Sequence, residues 1–262
     1  VSNTGWKSYS SKSTSAIRWY GGIRLIRVIW VFIHLFLWTP ILATIGMILS
    51  LFIPGGKPIA WVAKIWSKVI LFISGVPYSV EGLEKLDPDK QYVFVSNHES
   101  AFDILLVLAC LPYRLVFISK IELRKIPFLG WAMVLGKHIF VKRKNHKAAL
   151  ASMETARESL KKYPRSIVIF PEGTRSLDGH MKPFKKGGII LGIKSNLPLV
   201  PMGICGTFDV IKKGAFSIQP KPIHLIVGQP IDTSVYDYND RNQVTEILRN
   251  EIVNLKSSWT VE

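Results

Sequence analysis

A histidine and an aspartate five residues apart are the first residues in this chain whose types and spacing could do chemistry. They are His98 and Asp103 of "SNHESAFD", which follows the strand-like "YVFV" and precedes the helix-like "ILLVLACL". On one helix this separation would turn the two side chains about 140° apart. A His in a strand-to-helix loop and an Asp in the first helical turn could instead meet, and a carboxylate-oriented imidazole can act as a general base. The alternative is a capping Ser beside an incidental His.

A second stretch, "FPEGTRS" from Phe170 to Ser176, follows the strand-like "SIVI". A Pro-Glu-Gly turn there would place Glu172, Thr174 and Arg175 at the crevice where α/β proteins bind ligands. Gly173 permits a tight backbone path, and the planar fork of Arg175 suits a phosphate. The alternative is a surface turn with a solvated salt bridge.

Two further stretches are "GKHIFVKRKNHK", a strand that ends in a basic cluster, and "LVPMGICGT", an apolar strand closed by small residues. Between Leu123 and Met153 the chain has seven basic residues and no acid. Such a run is more often a solvated face than a site. Here it neighbours a candidate anion-binding crevice, so both interpretations stay open.

The elements that must position these residues alternate between short strands and helices from about Val76 onward. This alternation predicts an α/β domain over residues 76–262, with a mixed, largely parallel sheet flanked by helices. The stretch "QPKPIHLIVGQPID" is interpreted as a late edge strand, and "NDRNQVTEILRNEIVNLKSSW" as a closing surface helix.

The amino-terminal part of the chain has a different composition. Residues 1–17 are polar and are predicted to be disordered. From Val28 to Gly56 there are 29 residues without a formal charge, which exceeds the roughly 20 apolar residues that a bilayer span needs. An amphipathic segment rich in Trp and Lys follows. Residues 18–75 are therefore predicted to form a two-helix membrane anchor, which either spans the bilayer or enters one leaflet.

The charge balance also favours a membrane. The net charge is +16, and residues 1–80 contain eight Lys or Arg and no acid. Hydrophobic residues make up 48% of the chain, which is high for a soluble nucleic-acid binder, and no nucleic-acid-binding motif is present. The two cysteines, Cys110 and Cys205, show no metal-ligand spacing, so free thiols and no metal site are expected.

The four stretches, in this order, resemble the glycerolipid acyltransferase family, most closely the bacterial 1-acylglycerol-3-phosphate acyltransferases. His98 and Asp103 match its HxxxxD motif, and Arg143 matches the Arg that closes its second block. The third and fourth blocks match Phe170 to Arg175 and Val200-Pro201. The resemblance covers about residues 76–230. One departure is Lys137, which stands where the family usually has a Gly.

The resemblance implies transfer of an acyl group from acyl-CoA or acyl-acyl carrier protein to the sn-2 hydroxyl of lysophosphatidic acid. His98 would be the general base and Asp103 its orienting partner, with backbone N–H groups near the loop or helix start binding the oxyanion. Glu172 would orient Arg175 or contact a substrate hydroxyl. No cofactor beyond the acyl donor is implied. The predicted substrate-binding residues are Lys137, Arg143, Glu172, Gly173, Thr174 and Arg175.

Three other expectations belong to this hypothesis. The domain would face the cytoplasm from the inner membrane. The acceptor could instead be glycerol-3-phosphate, an ornithine lipid or another lysophospholipid. A non-catalytic, membrane-docked lipid-binding protein is the alternative from another functional class.

Overall fold

The structure, a computed structural model, describes residues 11–142, 146–215 and 217–260, and only the backbone for 11–25 and 146–151. The helices are α1 (Ser11–Phe52), α2 (Lys57–Ser74), α3 (Phe102–Cys110), α4 (Leu129–Leu135), α5 (His146–Lys162), α6 (Gly187–Lys194), α7 (Thr207–Val210) and α8 (Arg241–Ser257). The strands are β1 (Tyr78–Glu81), β2 (Val93–Ser96), β3 (Leu115–Lys120), β4 (Ile139–Val141), β5 (Ser166–Ile169), β6 (Leu199–Cys205) and β7 (Ile223–Val227). Short 3-10 turns cover Pro54–Gly56, Leu83–Lys85 and Ile121–Lys125.

The strands form one sheet in the order β1-β7-β6-β2-β5-β3-β4. Neighbours are parallel except for the antiparallel pair of β6 and β7. The predicted mixed, largely parallel sheet is therefore confirmed. Because β2, β3 and β5 run in the same direction, the segments that follow them meet at one edge of the sheet.

The prediction of a late edge strand is wrong. The strand "IHLIV" is β7, which lies between β6 and β1. Its neighbour β1 is only four residues long, and two of these residues, Ser79 and Glu81, are polar. The sequence of β1 therefore gives only a weak indication of a strand. The edge of the sheet on this side is therefore β1.

The core lies on both faces of the sheet because successive strand side chains point in opposite directions. In β2, Phe94 packs with α2 and α3 on one face, whereas Val93 and Val95 pack with α5, α6 and α8 on the other. In β5, Val168 belongs to the first cluster and Ile167 to the second. The strands that carry the candidate site are thus buried on both sides, which fixes their register.

Helix α1 is long and apolar enough over Ile26–Phe52 to cross a membrane, with a mean hydropathy of 2.1. Only 22% of its most apolar window is buried against the rest of the protein. The helix begins at Ser11, so residues 11–17, predicted to be disordered, are helical. Extending an existing helix is far easier than starting one. Residues 1–10 lie outside the described part of the chain.

Helix α2 packs along α1 and also joins the core of the α/β domain. Ile70 and Leu71 are buried in the cluster that contains α3, and Trp66 Nε1 donates to Thr39 Oγ1 of α1 at 3.0 Å. Trp61 and Phe72 remain exposed on its outer side. Among the described residues, α1 alone meets the length and hydropathy of a span. The two-helix anchor therefore stays a prediction, and α2 is at least partly a core helix.

Candidate active site

His98 and Asp103 form a hydrogen-bonded pair at the start of α3. His98 lies in the loop after β2, and Asp103 lies in the first turn of α3. His98 Nδ1 is 2.7 Å from Asp103 Oδ2, with the Asp103 side chain fully buried and that of His98 15% exposed. A carboxylate at this distance favours the tautomer protonated at Nδ1, which leaves Nε2 as the proton-accepting atom. The loop thus folds back onto the helix as the spacing predicts.

Asp103 also binds the backbone of the loop that carries His98. Its Oδ2 accepts from the amides of Glu99 at 2.7 Å and Ser100 at 2.9 Å. The amide of His98 donates to Glu172 Oε1 at 2.8 Å. The amides of His98, Glu99 and Ser100 are therefore each engaged by a carboxylate. These three amides hold the conformation of the loop, and the expectation that amides near the loop or helix start bind the oxyanion stays a prediction.

Glu172 connects this loop to the turn after β5. The side chain is buried, and its Oε2 accepts from the amide of Lys182 at 2.9 Å while its Oε1 accepts from His98. Burial raises the pKa of Glu172, and the two amides and the His98 ring oppose that increase. Both oxygens hold backbone, and neither of these contacts involves Arg175. Glu172 is thus placed to position His98.

Asn97 and Glu99 hold the loop from the side of β6 and α8. Asn97 donates to the carbonyl oxygen of Ile204 at 2.9 Å and accepts from the Ile204 amide at 2.8 Å. Its Nδ2 also donates to Glu99 Oε1 at 3.2 Å, and Lys256 of α8 donates to the same oxygen. Sequence reasoning missed these roles because the partners lie 107 and 157 residues away along the chain.

We expect the buried Glu99–Lys256 pair to stabilise the loop. Burial raises the pKa of Glu99 and Lys256 opposes that increase, so Lys256→Met leaves a poorly compensated carboxylate. The free energy of unfolding should fall by about 1–3 kcal/mol. Lys256 is itself 24% exposed, which keeps the loss below that of a fully buried pair.

Glu99→Gln in the Lys256→Met chain should recover part of this loss, because it removes the carboxylate that Lys256 compensates. Urea unfolding of the unmodified chain, the two single variants and the double variant, all in detergent, measures the coupling free energy between Glu99 and Lys256. Strictly additive losses would show that the two side chains do not act as a pair.

His98 lines a cavity of about 550 Å³ that extends from the sheet edge to the amino-terminal helices. This volume is typical of a small-molecule site. The His98 ring stacks on Phe170 with centroids 4.2 Å apart. The wall is otherwise largely apolar and draws on four helices and β3; it includes Leu42, Val62, Trp66, Leu108, Phe117 and Met133.

A second histidine, His138, lines the same cavity but is a poor candidate for the base. Burial, aided by the charges of Arg165 and Arg114, lowers the pKa of His138 to about 4. Its Nδ1 accepts from the backbone amide of Phe117 at 3.2 Å. A base with so low a pKa accepts protons weakly at pH 7. In addition, Nδ1 of His138 is already occupied by the Phe117 amide. His98 is therefore the better placed imidazole.

Cationic side chains line the polar part of the cavity, namely Lys120, Arg175 and Lys213. Lys213 Nζ donates to Thr174 Oγ1 at 2.9 Å. Gly173 has a φ of 71°, a left-handed conformation that favours glycine and lets the chain turn into Thr174 and Arg175. Within the described part of the chain the Arg175 guanidinium has no hydrogen-bond partner. Its planar set of donors is thus available to an anion.

The chain is similar to known acyltransferases over the part that contains this site. A family model described as Acyltransferase matches residues 78–205, which contain the His98–Asp103 pair and the "FPEGTR" turn. A 1-acyl-sn-glycerol-3-phosphate acyltransferase of Limnanthes douglasii is 38% identical over 165 residues, which are 63% of this chain and 58% of that protein. The protein of the same name from Saccharomyces cerevisiae is 30% identical over 198 residues, 74% of this chain and 64% of that protein.

A solved structure agrees with these relatives over most of the chain. The crystal structure of the 1-acyl-sn-glycerophosphate (LPA) acyltransferase PlsC from Thermotoga maritima superposes with a TM-score of 0.77 at 26% identity. It covers 91% of this chain and 98% of that one. Over this part of its length the chain is therefore similar to the acyltransferase family. It spans less than two thirds of the length of the first curated relatives that it matches.

Lys137, which stands where the resemblance expects a glycine, has a backbone conformation that favours glycine. Its φ is 64°, in the left-handed region that costs an L-residue roughly 1–2 kcal/mol. The Lys137 ammonium lies 5.1 Å from the ring centroid of Tyr163, and Lys137 is not among the residues that line the cavity. Its predicted part in substrate binding therefore stays a prediction.

Arg143 lies outside the described residues, and its predicted role also stays a prediction. Lys120 and Lys213 were not predicted as site residues. Lys120 ends the strand "LVFISK" at the same sheet edge as His98, which is a usable signal, but nothing near Lys213 in the sequence indicates its place. Among the described residues, no group of three His, Cys, Asp or Glu side chains could hold a metal ion.

Proposed function

We propose that this acyltransferase transfers a fatty acyl group from a thioester to the sn-2 hydroxyl of lysophosphatidic acid, which yields phosphatidic acid. The observation that carries the proposal is the His98–Asp103 pair, whose free imidazole nitrogen belongs to a cavity with an apolar wall and a cationic rim. The relatives bear the name of this reaction. The acyl donor is acyl-CoA or acyl-acyl carrier protein, which acts as a co-substrate.

The chemistry needs no nucleophile from the protein. His98 Nε2 removes the proton of the acceptor hydroxyl as its oxygen attacks the thioester carbonyl, and Asp103 stabilises the imidazolium that forms. The tetrahedral intermediate then collapses with cleavage of the carbon–sulfur bond. The thiolate leaves and receives the proton, so the imidazole is regenerated. The new ester and the free thiol are the only products.

The rim and the wall of the cavity would bind different parts of the substrates. Arg175, with Lys213 beside it, is placed to bind the phosphate of lysophosphatidic acid through charge-assisted hydrogen bonds. Arg143 would contribute from the second block. The apolar wall would take a fatty acyl chain, whose burial is favourable in proportion to its area. A substrate with an exposed phosphate and an apolar chain suits both surfaces.

The product and acceptor are membrane lipids, so the enzyme would act at a bilayer. We assign it to the inner membrane with its α/β domain on the cytoplasmic side, where acyl-CoA and acyl carrier protein are available. The exposed apolar face of α1 supports membrane association.

Membrane association through α1 predicts resistance to salt. Washing membranes with 1 M salt should leave most of the intact protein in the pellet, because salt screens surface charges but not buried apolar contacts. Detergent should release it. Recovery of most of the protein in the salt wash would reduce the contact to an electrostatic one. The intact chain is the right subject, because deletion of residues 1–75 would remove Ile70 and Leu71 from the core.

Acceptor choice tests the proposed substrate. Purified protein with acyl-CoA should acylate lysophosphatidic acid in preference to lysophosphatidylcholine, an ornithine lipid precursor or glycerol-3-phosphate. A phosphate site next to an apolar cavity favours a substrate that has both parts. Equal use of lysophosphatidylcholine would contradict the phosphate contact. Lipid binding without any thioester cleavage would favour the non-catalytic alternative.

A further inference from the structure

The segment 126–135, which comprises α4 and the turn before it, exposes a cluster of large apolar side chains that the proposed chemistry does not use. We call it the α4 patch. Five of its ten residues are large apolar side chains with 36% to 51% of their surface exposed to solvent. They are Ile126, Phe128, Trp131, Val134 and Leu135. Contiguous exposed apolar surface of this kind marks an interaction site.

The α4 patch continues the exposed apolar face of α1. Ala132 of α4 packs on Ala43 of α1 in a small buried cluster. The carboxyl end of α4 also touches the turn after α1, where a Cβ on Gly56 would lie 2.8 Å from the carbonyl oxygen of Leu135. The last turn of α1, just before this contact, exposes Leu51 and Phe52. The two apolar surfaces therefore meet.

The charges around the α4 patch match an anionic lipid surface. Arg124 and Lys125 immediately precede the patch and are exposed, and the chain has no acid between Leu123 and Met153. Trp131 and Phe128 contact each other with ring centroids 5.3 Å apart. Aromatic side chains flanked by Lys and Arg are characteristic of segments at the level of lipid headgroups.

The other side of the same helix faces the candidate active site. Leu129, Ala132 and Met133 line the cavity that contains His98. Helix α4 is thus a thin wall with the apolar patch on its outer side and the cavity on its inner side. If the patch lies in lipid, an acyl chain would have to move only past this helix to pass from the bilayer to the cavity.

We propose that the α4 patch inserts into the interfacial layer of the bilayer beside α1, and so forms a second membrane contact that places the cavity next to the lipid. The proposal rests on the membrane association in the proposed function. It favours lipid over a second copy of the chain because the patch is continuous with the apolar face of α1 and is immediately preceded by two exposed basic residues, Arg124 and Lys125, against the single acid Glu122.

Spin labels at three exposed apolar positions test the insertion. The variants are Phe36→Cys on α1, Trp131→Cys in the α4 patch and Val253→Cys on α8, each in vesicles of phosphatidylcholine and phosphatidylglycerol. Burial raises the pKa of the native thiols Cys110 and Cys205 to about 12, so both should react slowly with the spin label. Labelling of the unmodified chain measures the background that remains. Collision with oxygen reports lipid, and collision with a water-soluble nickel complex reports solvent.

Labels at positions 36 and 131 should favour oxygen, whereas the label at 253 should favour nickel. A label at 131 that behaves like that at 253 while position 36 stays in lipid would overturn the proposal and leave the α1 contact intact. Shielding of position 131 from both agents would indicate a protein partner and would equally overturn it. A solvent-exposed position 36 would refute both contacts, while acyl transfer measured on the same sample reports separately on the activity.

Kinetics provide a second measurement. Trp131→Glu should raise the KM for lysophosphatidic acid held in vesicles at least several-fold, because a charge opposes insertion. The kcat in detergent micelles should be unchanged, since Trp131 does not line the cavity. Val253→Glu is the matched control and should change neither value. Equal effects of the two substitutions in vesicles would contradict a specific contact at α4.

Discussion

Replacement of His98 by Ala should lower kcat by at least about 10²-fold, the usual contribution of a positioned general base. His98 Nδ1 is held by Asp103. The other imidazole among the described lining residues of the cavity, His138, is a poor substitute, because burial lowers its pKa to about 4. Steady-state release of free thiol from acyl-CoA in the presence of lysophosphatidic acid measures the effect. The matched control is His180→Ala, since His180 is an exposed histidine outside the cavity and its loss should leave kcat unchanged.

Asp103→Asn should also be severe, because an amide does not stabilise the imidazolium as a carboxylate does. The double variant should be little slower than His98→Ala alone, since the two residues act as a unit. Multiplicative losses would mean that Asp103 acts mainly through its contacts with the amides of Glu99 and Ser100. Near-normal turnover by folded His98→Ala would remove the proposed mechanism.

Replacement of Arg175 by Ala should mainly raise the KM for lysophosphatidic acid. The guanidinium lines the cavity and has no hydrogen-bond partner among the described residues, so its loss takes a contact from the phosphate. A charge-assisted contact of about 1.5–3 kcal/mol corresponds to about 10–150-fold in kcat/KM. Arg175→Lys should recover part of the loss, because it keeps the charge but not the two-pronged geometry.

Arg157→Ala serves as the control for this substitution. Arg157 pairs with Glu154 and Glu158 on the surface of α5, and such pairs contribute little. Its kinetics should match those of the unmodified protein. The phosphate assignment fails if Arg175→Ala weakens the use of acyl-CoA while the KM for lysophosphatidic acid is unchanged.

The placement of the candidate site could be predicted from the sequence because it depends on local rules. A loop between a strand and a helix is enough to bring His98 to Asp103, and the common direction of β2 and β5 is enough to bring the "FPEGTR" turn to the same edge. The mixed, largely parallel sheet followed from the alternation of strands and helices. Each of these depends on the order of the elements along the chain.

The contacts that hold the loop could not be predicted, because their partners are distant in sequence. Glu172 binds the amide of His98 across 74 residues, and Lys256 binds Glu99 across 157. Because Glu172 lies three residues before Arg175, the sequence favours its interpretation as a partner of Arg175 or as a contact to a substrate hydroxyl. Similarly, the weakly patterned strand β1 hid the interior position of β7, and Lys213 reaches Thr174 from a loop with no motif.

The central claim is direct transfer of the acyl group, with His98 as the base and no acyl-enzyme. The most direct test follows thiol and phosphatidic acid together in rapid-mixing experiments with purified protein, acyl-CoA and lysophosphatidic acid. The mechanism predicts equal amounts of the two products from the first turnover, no thiol when lysophosphatidic acid is omitted, and loss of both products in His98→Ala. A burst of thiol of about one equivalent per protein molecule in the absence of lysophosphatidic acid would contradict it, because it would show that the protein itself accepts the acyl group.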